Sequence, residues 1–177
     1  MILTGSLETP RLLLRSMRPS DASQRYLSWL QDSEINRYLE VRFAKVTDIS
    51  GLAEFIQSAN DSADSLLMGI FLKSDERHIG NIKLGPIVYH HARSDIGYLI
   101  GERSCWGKGL ATEAITAVAR YGLSVLNLAK ITAGCYEPNQ GSARALQKAG
   151  FVHQATIPSL FVYEGRRVAS LIYGLDR

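Results

Sequence analysis

Asp95–Leu123 reads DIGYLIGERSCWGKGLATEAITAVARYGL, and the order it implies is strand, glycine loop, helix. Asp95–Gly101 is rich in Ile, Tyr and Leu with a loose alternation, the pattern of a strand. Gly101, Gly107 and Gly109 interrupt any regular period over the next nine residues. From Leu110 the apolar and small residues Ala114, Ala117, Val118, Tyr121 and Val125 recur at helical spacing, which predicts one buried face. The first turn of such a helix presents free N–H groups and the positive end of the dipole, so it attracts anions. Gly107 and Gly109 have no Cβ, so a phosphate can approach their backbone.

Three phosphate motifs compete for this loop. A P-loop requires GxxxxGK[ST], but five residues separate Gly101 from Gly107, and Gly109 stands where Ser or Thr must hold magnesium. A dinucleotide fingerprint requires GxGxxG, but Thr112 takes the place of the third glycine, and no acidic residue between Glu113 and Glu137 could bind a ribose. The third is [QR]xxGx[GA] between a strand and a helix. Ser104-Cys105-Trp106-Gly107-Lys108-Gly109 satisfies it except at Ser104.

A second block agrees with the third motif. Asn139-Gln140-Gly141-Ser142 followed by Lys148-Ala149-Gly150-Phe151 has the form NxxS…KxGF, and the chain opens with ETPRLLLR. On these residues the sequence resembles the GNAT acetyltransferases, in the branch of the ribosomal-protein N-terminal and amino-sugar acetyltransferases, over nearly its whole length. The resemblance implies a mixed α/β single domain over residues 1–177. Its sheet would be mostly antiparallel, of about seven strands, splayed between the strands near 95–101 and 130–135, with helices on both faces. It implies acetyl-CoA as co-substrate, with the pantetheine arm in the splay and the pyrophosphate on the glycine loop. The cofactor residues so implied are Leu99, Ile100, Trp106, Gly107, Lys108, Gly109, Leu110, Ala111, Asn139 and Ser142. The oxyanion donor falls to the backbone near Leu99 or Ile100.

Acetyl transfer from a thioester to an amine asks little covalent machinery of the protein. The amine must lose a proton, the carbonyl must be polarised and the thiolate must leave, so positioning supplies most of the acceleration. Asp95, at the head of its strand, and Glu102, at its end, are the two candidate bases, and each also reads as a surface carboxylate. Asn139 is a good N-cap in any fold. Ser142, the third candidate catalytic residue, could solvate the leaving thiolate. Many relatives place a tyrosine farther along that helix as general acid, whereas this chain reads Ala145-Leu146-Gln147-Lys148. Tyr98 could orient a water or simply fill core, and Glu113 reads as a first-turn carboxylate that suits the dipole. Cys105 sits in the glycine loop and could be exposed; Cys135 reads as packing. His78, His90, His91 and His153 lack metal-ligand spacing, so no metal is expected.

The rest of the chain sets the context. Its 177 residues suit one domain with a sizeable core. The net charge of +3 is spread over 20 Lys and Arg without a basic run, which suits an anionic ligand and does not point to nucleic acid. The longest apolar run, Leu66–Leu72, is too short to span a bilayer, and no signal segment opens the chain, so a cytoplasmic protein with reduced cysteines is expected. Strands are expected at Leu12–Ser16, Leu66–Lys73, His78–Val88 and Lys130–Cys135, with a closing hairpin of Phe151–Tyr163 and Val168–Leu175. Helices are expected over Ala22–Leu30, Glu34–Leu39, from Thr47 or Asp48 to Ala59, and from Asn139 to Gly150. The sequence supports an acetyl-CoA-dependent N-acetyltransferase acting on a primary amine, such as an amino-sugar nucleotide or a protein N-terminus, as monomer or homodimer. A non-catalytic CoA-binding module is the other reading.

Overall fold

The computed structural model describes residues 1–43 and 47–177. Its strands are β1 (Ser6–Glu8), β2 (Leu12–Ser16), β3 (Leu66–Leu72), β4 (His78–Val88), β5 (Arg93–Ile100), β6 (Lys130–Tyr136), β7 (Val152–Tyr163) and β8 (Arg166–Asp176). Its helices are α1 (Gln24–Gln31), α2 (Ser33–Asn36), α3 (Ile49–Asp61), α4 (Leu110–Ser124) and α5 (Gln140–Lys148). The strands form one eight-stranded sheet in the order β1-β2-β3-β4-β5-β6-β8-β7. Every neighbouring pair is antiparallel except β5 and β6, which run parallel with α4 as the connection between them.

That one parallel pair positions the site. β5 and β6 register only at Arg93–Lys130, Ser94–Ile131 and Asp95–Thr132. Beyond Asp95 the strands part, while β5 keeps pairing with β4 up to Ile100 and β6 with β8 up to Tyr136. The sheet is therefore a wedge whose closed end is the three-pair seam.

Helices cover both faces. Leu110, Ala114, Ile115 and Val118 of α4 and Leu146 of α5 pack on Leu12, Leu14, Met68, Ile82 and Ile96 in one core. Tyr26, Leu27 and Trp29 of α1 and Leu52 and Ile56 of α3 pack on Met17, Leu67 and Phe71 in the other. Helix starts follow the short polar residues: Ser23, Asp32, Asp48 and Asn139 each accept a backbone N–H of the first turn.

The differences from the expected elements are local. The three-residue β1 adds an eighth strand to the seven expected, too short to alternate visibly. Pro19–Asp21 forms its own 3-10 turn, so α1 starts after Ser23 rather than at Ala22. The second helix is one turn, Ser33–Asn36, rather than Glu34–Leu39. Helix α3 continues past Ala59, where its end was expected, through Asn60 and Asp61. The buried face of α4 is Leu110, Ala114, Ile115, Val118, Ala119 and Gly122, whereas Val125 lies past the helix end and is 60% exposed.

Candidate active site

The open end of the wedge is a cavity of about 660 Å³. Tyr98, Leu99 and Ile100 of β5 form one wall, the glycine loop and the start of α4 the floor, and Asn139–Ser142 at the start of α5 the opposite wall. Ile35, Tyr38 and Leu39 close the side nearest α2.

Strand alternation fixes which backbone groups face this space. Gly101 N–H donates to the Ile79 carbonyl at 2.9 Å, so residue 101, and with it Leu99, turns its polar groups toward β4. The N–H and C=O of Ile100 and Tyr98 then point into the gap. The Ile100 carbonyl is taken by the Trp106 indole, whose Nε1–H donates to it at 2.7 Å. The Ile100 and Tyr98 N–H groups are left as donors toward the cavity. Of Leu99 and Ile100, the residue whose N–H faces the cavity is Ile100.

The glycine loop leaves its backbone open. Gly107 and Gly109 have φ of 72° and 76°, the left-handed region that side chains rarely adopt, and no side chain caps α4. A Cβ added at Gly107 would meet nothing within 4 Å, so the space over the loop is open to a ligand. The loop is tied down from behind. Glu113 accepts the Thr9 hydroxyl at 2.6 Å, the Arg11 N–H at 2.9 Å and Arg11 Nε at 2.7 Å, while Arg11 Nη1 donates to the Lys108 carbonyl at 2.9 Å. Burial raises the affinity of the Glu113 carboxyl for its proton, but Thr9 and Arg11 outweigh it and hold the group below the usual carboxylate range. Lys108 is not among the residues lining the cavity, and its carbonyl is the group that Arg11 holds.

At the opposite wall Asn139 Oδ1 accepts the Ser142 N–H at 3.1 Å, the cap expected of it. Ser142 Oγ lies 2.6 Å from the Tyr98 hydroxyl, so a strand residue and a helix residue meet across the wedge. Burial pushes the Tyr98 phenol up to about 12, which keeps it a neutral donor at neutral pH.

The two candidate bases lie elsewhere. Asp95 is at the closed end, where β5 still pairs with β6, and its carboxylate takes the Thr132 hydroxyl. Glu102 lies past the end of β5 and accepts the Ser104 hydroxyl at 3.0 Å, so the residue that departs from the loop motif serves to hold it. Neither lines the cavity. Cys105 is 5% exposed rather than open, although it is among the residues lining the cavity. Cys135 is buried, which raises its thiol pKa. Among the described residues no cluster of His, Cys, Asp and Glu is placed to hold a metal, and no helix is long and apolar enough to cross a membrane.

Several members of the site were not legible in advance. Arg103 carries Asp32 at 2.6 Å and also pairs with Glu34, fastening the loop after β5 to α2. Tyr38 stacks on Tyr163 with ring centroids 5.0 Å apart, and Tyr136 stacks on Phe161 at 4.0 Å. The Tyr136 hydroxyl donates to Glu40 at 2.6 Å and accepts from Arg42 at 3.0 Å. Of these, Tyr38 and Arg42 stand in a stretch, residues 37–43, that is rich in aromatic and basic side chains, which does not show what they face.

Residues 11–152 match the acetyltransferase (GNAT) domain family. The chain belongs to the GNAT acetyltransferases. A Bacillus licheniformis protein named uncharacterized N-acetyltransferase p20 is 30% identical over 173 residues, covering 96% of this chain and 95% of the relative. Human alpha/beta-tubulin-N-acetyltransferase 9 is 44% identical over 62 residues, 35% of this chain and 30% of its own. The GNAT fold is shared with the spermidine N-acetyltransferase from Vibrio cholerae solved with CoA and spermine, at a TM-score of 0.82 and 20% identity over 95% of this chain and 96% of that one. An acetyltransferase of Bacillus anthracis gives 0.81 at 21% identity, over 97% and 98%. Membership makes this GNAT chain an acyltransferase and accounts for the wedge and the glycine loop together.

Proposed function

We propose that the enzyme transfers the acetyl group of acetyl-CoA to the primary amine of a small molecule or a protein N-terminus. The observation that carries this reading is the wedge itself. It offers a backbone donor at Ile100, an uncapped helix start at α4 and the Tyr98–Ser142 pair around one cavity.

The residues present fit acetyl-CoA. Gly107, Gly109 and the first-turn N–H groups of α4 would hold the pyrophosphate, and the gap beside Tyr98 and Ile100 would take the pantetheine arm. Acetyl-CoA supplies an activated acetyl group as a thioester. Ile100 N–H stabilises the charge that develops on the carbonyl oxygen, an effect of about 2.7–4 kcal/mol per donor in other enzymes. Ser142 Oγ hydrogen-bonds the departing sulfur, with the Tyr98 hydroxyl donating to Ser142 behind it. Because Asp95 and Glu102 face away, the amine passes its proton to water at the open side of the cavity.

An open acceptor side favours an enzyme over a non-catalytic CoA-binding module. Glu34 and Arg37 line this cavity and also a second one, of about 600 Å³, between α2 and the end of β7. The deciding experiment measures acetyl-CoA affinity and, separately, thiol release from acetyl-CoA across amino-sugar nucleotides, N-terminal peptides and polyamines. Turnover with one class is expected. Tight binding without thiol release in any arm would support the module instead.

A further inference from the structure

Ile100 is the last residue of β5, and β6 has already parted from the strand five residues earlier. A strand end with one neighbour opens readily. The peptide between Ile100 and Gly101 is nevertheless held at both of its polar groups. Its N–H donates to the Ile79 carbonyl of β4 at 2.9 Å, and its carbonyl accepts the Trp106 indole at 2.7 Å. Trp29, 4% exposed, lies flat against Gly101, where any side chain would run into its ring. Tyr26 and His78 hold Trp29 there, with ring centroids at 5.8 and 5.0 Å. Both tryptophans of the chain thus bear on this one peptide.

Trp106 is the unusual one of the two. It is 38% exposed and lines the cavity, yet its one polar side-chain atom turns back to the protein's own strand. Its main chain is fixed on both sides: the Trp106 N–H donates to the Arg103 carbonyl at 3.0 Å, and Arg11 holds the Lys108 carbonyl. The indole supplies the donor that a neighbouring strand would give in an unbroken sheet. This changes the polarity of the rim. Of the groups that Tyr98 and Ile100 turn to the gap, both N–H groups stay free, while the Ile100 carbonyl is taken. The N–H and C=O of one residue stand side by side on a strand edge. A bare Ile100 carbonyl would therefore set the negative end of a dipole beside the oxygen on which charge develops. In a site that excludes water such an opposing dipole is costly. The Trp106 indole covers it.

We propose that Trp106 is a positioning residue for acetyl transfer: its indole N–H keeps the Ile100 carbonyl covered and the Ile100 N–H in place, in the loaded protein as in the free one. This rests on the acetyltransferase reading of the wedge. It assigns the indole to β5 rather than to the cofactor, and experiment separates the two roles.

The test compares the parent with Trp106→Phe, which keeps an aromatic ring, and Trp106→Leu, which keeps bulk alone. Both lose the donor. Thiol release from acetyl-CoA is measured with the amine that the parent turns over fastest, and acetyl-CoA affinity by calorimetry. Both variants should lower kcat roughly tenfold, the usual effect of leaving a buried polar group uncovered. The acetyl-CoA Kd should stay within about threefold of the parent, because the thioester carries no charge before it reacts. A parental kcat in Trp106→Phe would overturn the assignment. So would an acetyl-CoA affinity kept in Trp106→Phe and lost in Trp106→Leu, the pattern of a ring that packs on the cofactor. A second readout needs no turnover. The chain has two tryptophans, and the indole N–H signal absent from Trp106→Phe belongs to Trp106. In the parent that N–H should exchange slowly with solvent and remain slow when CoA is added to saturation. Exchange that becomes fast in the CoA-loaded protein would mean that the cofactor displaces the indole, and would sink the proposal. If the parent binds acetyl-CoA and turns over no amine, the acetyltransferase reading fails instead. The indole signal of the loaded protein then decides the Trp106 assignment alone: slow exchange supports it, and fast exchange refutes it.

Discussion

Replacing Glu113 by Gln tests whether the glycine loop is held from behind. Gln keeps the shape and one oxygen, so the Thr9 hydroxyl and the Arg11 N–H can still be accepted. Its amide nitrogen would face Arg11 Nε, a donor against a donor, and the pair at 2.6 Å is lost. A charge-assisted bond contributes about 1.5–3 kcal/mol when buried. Arg11 is half exposed while Glu113 is 15% exposed, so solvent screening reduces this to about 1–2 kcal/mol. For a chain of this size that is a fall in Tm of roughly 2–8 °C. The effect also has a direction in pH. The folded carboxyl sits below its ordinary value of 4.5. Its contribution is therefore fully present above pH 4.5 and disappears as pH falls through the depressed folded value. Differential scanning of both proteins between pH 7.5 and pH 3 should show a Tm gap that is constant at neutral pH and closes on the acid side. Because Arg11 also holds the Lys108 carbonyl, acetyl-CoA should bind several-fold more weakly to the variant at pH 7.5, by an amount an isothermal titration resolves. A gap that persists to the acid limit, or a variant as stable as the parent, would refute the clamp.

Gly107→Val should weaken acetyl-CoA binding by at least tenfold, while its left-handed backbone costs about 1–2 kcal/mol of stability, since the Cβ itself meets open space; calorimetry and thermal melts separate the two. Asn139→Asp keeps the capping oxygen and should melt near the parent but bind acetyl-CoA less well through its added charge, whereas Asn139→Ala should lose about 0.5–2 kcal/mol as well; an Asp variant with parental affinity would leave the residue as a cap only. Ser142→Ala should lower kcat more than Tyr98→Phe, with the acetyl-CoA Kd kept in both, if Ser142 meets the sulfur and Tyr98 stands behind it. Asp95→Asn and Glu102→Gln should each leave kcat within a few-fold of the parent; a loss of about 10²-fold in either would restore it as the general base.

The parts of the site that were legible in the sequence are those written locally. The strand, loop and helix of 95–124 announce themselves by period and glycine, and Asn139 by its place before a helix. What escaped is non-local. Glu113 is readable as a first-turn acid, but Thr9 and Arg11 lie more than 100 residues away in the chain. Asp95 and Glu102 flank the right strand, yet only the register shows that the seam is still closed at Asp95 and that the chain has left the sheet by Glu102. The Tyr38 stack depends on a hairpin that arrives some 125 residues later with Tyr163. β1 was missed for the opposite reason, three residues being too few to carry a period.

The seam of three residue pairs gives the molecule a mechanical character. β1 to β5 form one plate and β6, β8 and β7 another, and between them the continuous ladder of an ordinary sheet is reduced to three rungs, with α4 strapped across as a brace. Such a joint is stiff along the strands and compliant across them. Whatever lies along the inner rims, bonding to Ile100 on one and touching Asn139 beyond the other, acts as a spline between the plates. Amide exchange at Tyr98 and Ile100 should therefore slow on acetyl-CoA binding far more than exchange in β3, which is paired on both sides already.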